Sequence, residues 1–295
     1  MRRGWRVVCG ALVLASLAGC GAPAGTDGDL TDHWSRLPAA TQFTPETGTC
    51  HPDLDAVGYL STYTVLDCAR PHRTETVYVG RFSGAQADRA SAPAADSAEL
   101  RTVFPECDAR VKQFVGGDWR GARMSIRVVP PSPGGWAGGS RWYRCDVFLL
   151  NALDGGDDER VVDNTGSLRG VLAKPSPLAY GCFNENQLEQ LTPIDCASSH
   201  RFEYVGIFNV RADASLDALV DKPDNTYAAC YFVISAYVRV PSVLTVGARL
   251  GVSFRTPSAE AWARGDRGIR CFLWSDDRAL TRSLKNAGPA GLPKP

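Results

Sequence analysis

Two pairs of residues in this chain have the types and spacing for proton transfer: His72 with Glu75, and His200 with Glu203. A histidine and a carboxylate can act together if both reach one substrate atom. On a strand, residues three apart point to opposite faces, so convergence requires each histidine to sit in the turn before the strand. The plainer expectation is structural: each histidine, with the arginine beside it, satisfies backbone carbonyls or pairs with Asp67 and Glu75. Cys68 and His72, like Cys196 and His200, stand four apart as zinc ligands could, but no second close Cys/His pair accompanies either one. No metal and no cofactor is expected.

A second constellation joins Trp136 to Arg141 and Arg144, and Trp262 to Arg267 and Arg270. An aromatic ring with guanidinium groups could hold a sugar face, a carboxylate or a partner's peptide. The structural alternative is a tryptophan closing the core edge beside a disulfide, with its arginines stacked or paired. A thiol hydrolase would need a free thiolate near a histidine. A serine hydrolase would be expected to carry a GxSxG elbow, and the sequence has none. No catalytic residue is therefore assigned.

The elements that must position these groups occur twice. TVLDCARPHRTETV at residues 64–77 returns as TPIDCASSHRFEYV at 192–205, sharing Asp67/Asp195, Cys68/Cys196, His72/His200, Glu75/Glu203 and Val77/Val205 at one offset of 128. Residues 121–145 align without a gap on 247–271, with 11 of 25 positions identical, including WAxGxRxxRC from Trp136/Trp262 to Cys145/Cys271. Two ungapped matches at nearly one offset indicate a duplicated unit. The match runs past the last cysteine, since TGSLR at 165–169 corresponds to TRSLK at 281–285. This divides the chain into copies at 48–170 and 178–286, a stiff KPSP-containing linker at 171–177 and a solvated tail at 287–295.

Ten cysteines are present; with Cys9 and Cys20 set aside at the start of the chain, four remain in each copy. An even set at repeated positions, in an exported chain of small domains, reads as disulfides. Four cysteines allow three pairings. The favoured set is Cys50 with Cys68, Cys107 with Cys145, Cys182 with Cys196 and Cys230 with Cys271, because the first two of each copy flank one short segment and the others lie on elements that must pack together.

Export is read from residues 1–19. Arg2, Arg3 and Arg6 precede an apolar run, residues 7–17, too short to span a bilayer. The run closes on LAGC, similar to a bacterial lipobox, which makes Cys20 the lipidated first residue and 20–47 a tether, with a helical turn at 30–37 carrying His33 and Trp34. Loss of the signal lowers Lys+Arg from 32 to 29 against 32 Asp+Glu, so the mature chain is mildly acidic and no nucleic-acid partner is indicated.

Within each copy the spacing predicts a strand at 75–82, a capped helix start at Asp96 and Glu99, and a helix from Pro105 to Val115 stopped by Gly116, with Val103, Cys107, Val111 and Phe114 on one face. The second copy repeats this with Asn225 as cap and Tyr227, Cys230, Ile234 and Tyr237 on the face. Met124, Ile126 and Val128 alternate as a half-buried strand, matched by Leu250, Val252 and Phe254, and a final strand carries Cys145 or Cys271. The fold class is α+β: two tandem copies of a small disulfide-stapled domain, each an antiparallel sheet with one packed helix.

The combined pattern, Asp-Cys-Ala-x-x-His-Arg-x-Glu-x-Val followed by Trp-Ala-x-Gly-x-Arg-x-x-Arg-Cys, resembles the septum formation domain family, carried here by Cys68, Pro71, His72, Glu75, Val77, Trp136, Gly139 and Cys145. Ser199 replaces the proline in the second copy. The resemblance implies an exported or membrane-attached bacterial protein, mostly of actinobacterial type, with a place in cell division or envelope biology and no attached reaction. The expected function is a lipid-anchored module on the extracytoplasmic face that binds an envelope protein or cell-wall component and catalyses nothing. The alternatives are a cell-wall hydrolase using the His/Glu pairs and a sensor domain for a membrane partner.

Overall fold

The computed structural model describes residues 42–151, 153, 160–187, 190–276 and 278–294. The export signal, Cys20, nearly all of the tether and the turn with His33 and Trp34 lie outside the described residues.

The repeated sequence windows become repeated elements. In the first half, β1 (Cys50–His51), β2 (Thr74–Arg81), β3 (Met124–Val129), β4 (Trp142–Leu150) and β5 (Val161–Val162) form an antiparallel sheet in the order β1-β2-β4-β3, with β5 on β4. In the second, β6 (Cys182–Glu185), β7 (Leu191–Ile194), β8 (Phe202–Asn209), β9 (Gly251–Arg255) and β10 (Gly268–Trp274) take the order β7-β6-β8-β10-β9. Strands β2 and β8 are the same eight positions of the two windows and share an irregularity: the ladder steps from Thr76 to Tyr78 and from Tyr204 to Gly206, so Val77 and Val205 are each the extra residue of a bulge. A bulge bends its strand and re-aims a side chain. Both valines are buried against the helix of their half.

Helix α1 (Phe104–Val115) starts with Pro105 in its first turn and ends at Gly116, whose φ of 80° lets its N–H reach the Lys112 carbonyl. Cys107, Val111 and Phe114 are buried as the spacing predicts, and Val103 packs beside them from just before the helix. Asp96 and Glu99 do not start a helix: Asp96 has φ 55°, and Ser97 precedes a 3₁₀ turn, Ala98–Thr102. In the second half a short α3 (Leu216–Asp221) leads to α4 (Asp224–Val238), preceded by Pro223 and not capped by Asn225, which lies in the first turn. Cys230 and Ile234 are buried there, Tyr237 is half-buried, and Tyr227 is exposed.

The four bridges join Cys50 to Cys68, Cys107 to Cys145, Cys182 to Cys196 and Cys230 to Cys271. The second and fourth tie α1 to β4 and α4 to β10 through the middle of each core.

Two further local expectations need correction. Strand β3 is buried at all six positions and not on one face only, because the second half packs near it through α6 (Ala259–Arg264). That helix has a counterpart in α2 (Pro133–Ala137), and Ser132 and Ser258 each cap the helix that follows, accepting from Gly135 N–H at 3.1 Å and Ala261 N–H at 3.2 Å. The tail holds α7 (Gly288–Gly291), beyond which Leu292 is buried in the second core, after α5 (Val243–Gly247) has added Val246 to the same core.

Residues 42–295 form one compact unit. The segment 171–177 is a strap more than a spacer: Leu172 N–H donates to the Val115 carbonyl at 2.7 Å, and Val171 and Leu172 pack on the first core. Arg123 N–H donates to Leu178 O at 2.9 Å and Tyr180 N–H to Gly121 O at 2.8 Å, which brings the chain onto the first half before β6 begins.

Candidate functional site

Glu75 and Glu203 each sit early in the long strand that follows their histidine, and both are buried. Each carboxylate turns its two oxygens to the Ser-Leu step at the far end of its own half. Ser167 donates its hydroxyl to Glu75 Oε1 at 2.7 Å, and Leu168 N–H donates to Oε2 at 2.8 Å. In the second half Ser283 donates to Glu203 Oε1 and Leu284 N–H to Oε2 at 2.9 Å, while the Tyr237 hydroxyl also donates to Oε1 at 2.5 Å. Burial first, then this carboxylate, pushes the Tyr237 pKa up. The arrangement is a clasp that binds the closing segment of each half to its long strand. Hydrogen bonds to a charged acceptor are the strong ones.

The histidines face elsewhere. His72 places Nδ1 2.8 Å from the Arg70 carbonyl, and His200 places Nδ1 2.8 Å from the Ser198 carbonyl. Their backbones bridge to Asn164 and Leu280. Both rings are buried, and no hydrogen bond joins either to its glutamate among the described residues. The cysteine–histidine spacing makes no metal site, since Cys68 and Cys196 are in disulfides. One oxygen of each glutamate does lie within 4.8 Å of the sulfurs of the Cys50–Cys68 or Cys182–Cys196 bridge, but sulfurs bonded to each other offer no thiolate to an ion.

The tryptophans are walls and not platforms. Trp136 is 1 % and Trp262 7 % exposed, with Arg141 and Arg267 stacked over the rings at 4.1 and 4.0 Å from the centroids. Each arginine also caps its short helix: Arg141 Nη1 donates to the Trp136 and Ser140 carbonyls at 2.8 Å, and Arg267 Nη1 to those of Trp262 and Asp266 at 2.7 and 2.9 Å. The outward bonds also match: Arg141 Nε donates to Ala87 O at 2.6 Å and Arg267 Nε to Ala212 O at 3.3 Å, while α6 packs in addition near the 3₁₀ turn of the first half.

The family model for septum formation matches residues 47–271. The chain belongs to the septum formation family. The match begins just before Cys50, ends on Cys271 and so takes in both halves and all eight bridged cysteines. No curated protein and no solved structure matches the chain. The residues that carry the septum formation pattern are fold-forming in this structure: Cys68 and Cys145 bridge, Glu75 clasps, Val77 bulges, His72 bonds its own turn and Trp136 closes the core.

One network specific to the first half escapes the repeat. His51 places Nδ1 2.8 Å from the Thr64 carbonyl and Nε2 3.1 Å from Thr76 Oγ1, which donates to Asp146 Oδ1 at 2.9 Å; Asp146 in turn accepts from Arg144, which also reaches Asp55 at 3.0 Å. Burial outweighs the pull of Asp146 and holds the His51 pKa below its ordinary value. Phe272 stands where Asp146 does, so the second half cannot build this network. The serines of the clasp were within reach of sequence reasoning, because TGSLR and TRSLK repeat, but nothing in one sequence pairs them with the glutamates.

Glu75→Gln is expected to cost about 1–3 kcal/mol, because an amide offers one acceptor where the Ser167 hydroxyl and the Leu168 N–H need two. Urea unfolding monitored by fluorescence reads this directly, and an unchanged midpoint would show that the clasp contributes nothing.

Proposed function

We propose that this member of the septum formation family is a lipid-anchored module on the extracytoplasmic face of the membrane, built from two copies of one domain, that serves septation by binding and catalyses no reaction. One observation carries the reading: His72, Glu75, His200, Glu203, Trp136 and Trp262 are each buried and each make a fold-forming contact. The LAGC at residues 17–20 supports the anchor, and four disulfides suit an oxidising compartment. Among the described residues no helix is long and apolar enough to cross a membrane.

Incubation of the purified protein with peptidoglycan and with membrane extract tests the reading. Retention without soluble wall fragments is the expected result. Release of fragments that His72→Ala with His200→Ala abolishes would replace binding by hydrolysis. The anchor is tested separately: Cys20→Ala should move the protein from the membrane fraction to the soluble one.

A further inference from the structure

The segment between the first two cysteines differs in kind between the halves. In the first, residues 56–66, AVGYLSTYTVL, run eleven positions without a charge, whereas in the second the segment 183–195 carries Glu185 and Glu189. The uncharged run is not all spent on the core. Tyr59 is 47 %, Leu60 66 % and Val65 50 % exposed. The base of the loop is nevertheless pinned: Gly58 N–H donates to Pro130 O at 2.9 Å, Ser132 N–H to Gly58 O at 3.1 Å, and Leu66 N–H to Cys50 O at 2.8 Å. Apolar side chains held outward on such a base leave water only when something covers them.

This loop stands where the chain arrives from the N-terminal side. Trp142 Nε1 donates to Phe43 O at 3.0 Å, the Phe43 ring lies 4.9 Å from that of Tyr63 and 5.9 Å from that of Trp142, and Glu46 N–H donates to the Tyr63 hydroxyl oxygen at 2.8 Å. Residues 20–41 connect this point to Cys20 and reach at most about 3.6 Å each. An anchor at Cys20 therefore keeps the loop close to lipid, where even a weak contact is made effective by local concentration. The side chains suit that occupant. No charge in 56–66 has to leave water, Tyr59 has the apolar body and polar tip enriched at membrane interfaces, and Leu60 and Val65 offer aliphatic surface to acyl chains.

We propose that Tyr59, Leu60 and Val65 form a membrane-contact loop, which dips into the surface of the bilayer that anchors the chain and turns this end of the first half towards the lipid. The proposal rests on the anchored reading above and adds to it a second, non-covalent contact.

The test uses the full chain reconstituted in vesicles of phosphatidylcholine and phosphatidylglycerol in equal parts, with an environment-sensitive dye on Leu60→Cys or, as control, on Leu244→Cys, which is 84 % exposed in the second half. Blue-shifted emission at residue 60, quenched by a spin label carried on the lipid, is expected, with neither effect at residue 244. A dye on Thr62→Cys should report the same contact, and adding Leu60→Ser should lower its ratio of inserted to free loop by about tenfold or more, the factor that burial of one leucine is worth. An unchanged melting temperature in Leu60→Ser checks that the fold survives. Sedimentation with the vesicles reads the anchor and quenching at residue 60 reads the loop, so each fails on its own: a chain that sediments without quenching overturns the loop and leaves the anchor, and a chain that stays in solution unquenched overturns both. A blue shift without quenching by lipid would give the surface to a second copy or another protein, and equal quenching at residues 60 and 244 would mean general adhesion; either overturns the loop.

Discussion

Replacing Cys107 and Cys145 together by alanine is expected to lower the unfolding free energy by about 2–4 kcal/mol, and by more than the same change at Cys50 and Cys68. The two bridges span separations of 38 and 18 residues. Doubling a loop adds only about 0.6 kcal/mol of closure entropy, so chain statistics alone would make them nearly equal. Burial separates them. Both sulfur-bearing residues of the longer bridge are fully buried between α1 and β4, where removal also leaves a void that the core must close around, whereas Cys68 is half-exposed. Urea midpoints of the two double variants, measured without reductant, decide it. Equal losses would mean that the central bridge acts on the unfolded chain alone.

The same contrast between local and distant causes explains what the sequence discloses. Bridges, long strands and both main helices are legible because the signals that make them are local or repeated: Pro105 and Gly116 bracket α1, and the cysteines recur at fixed places. The exceptions depend on what arrives from elsewhere. Strand β3 alternates like a one-sided strand, yet Ser125 and Arg127 are buried because the other half lies near them. Asp96 looks like a helix cap, but it is held at positive φ beside a tertiary ion pair with Arg264 at 2.8 Å. β1, β5, β6 and β7 run two to four residues, too short for a period to emerge. At the candidate site the residue types were visible and their partners were not. Glu75 meets Ser167 across 92 residues, and Arg144 differs from Arg270 through the side chain two positions further on.

Arg120→Ala is the substitution expected to cost most, about 3–5 kcal/mol, because it breaks a buried ion pair and leaves the other charge in place. Arg120 belongs to the 3₁₀ turn Trp119–Gly121 of the first half and is 2 % exposed. Its Nε and Nη2 both lie 2.7 Å from Asp266 Oδ1 in the second half, its Nη1 lies 2.5 Å from Asp108, and its guanidinium stacks on Trp119 at 4.1 Å from the centroid. Burial by itself would lower the Arg120 pKa, but Asp266, Asp108 and Asp118 outweigh it and hold the pKa raised. Without the guanidinium, the Asp266 carboxylate keeps, among the described residues, the Gly268 N–H as its donor. Asp266→Asn should cost less, about 1–3 kcal/mol, since the amide oxygen can still accept from Gly268 and Arg120 keeps two carboxylates on its own half. Each half has its own core and its own bridges, so this contact also bears on whether they unfold as one. In the wild type a single urea transition is expected. In Arg120→Ala, hydrogen exchange should show the second half opening at lower urea than the first, and loss of protection in both halves at one concentration would mean that the backbone contacts at Arg123 and Tyr180 hold the halves together without the ion pair.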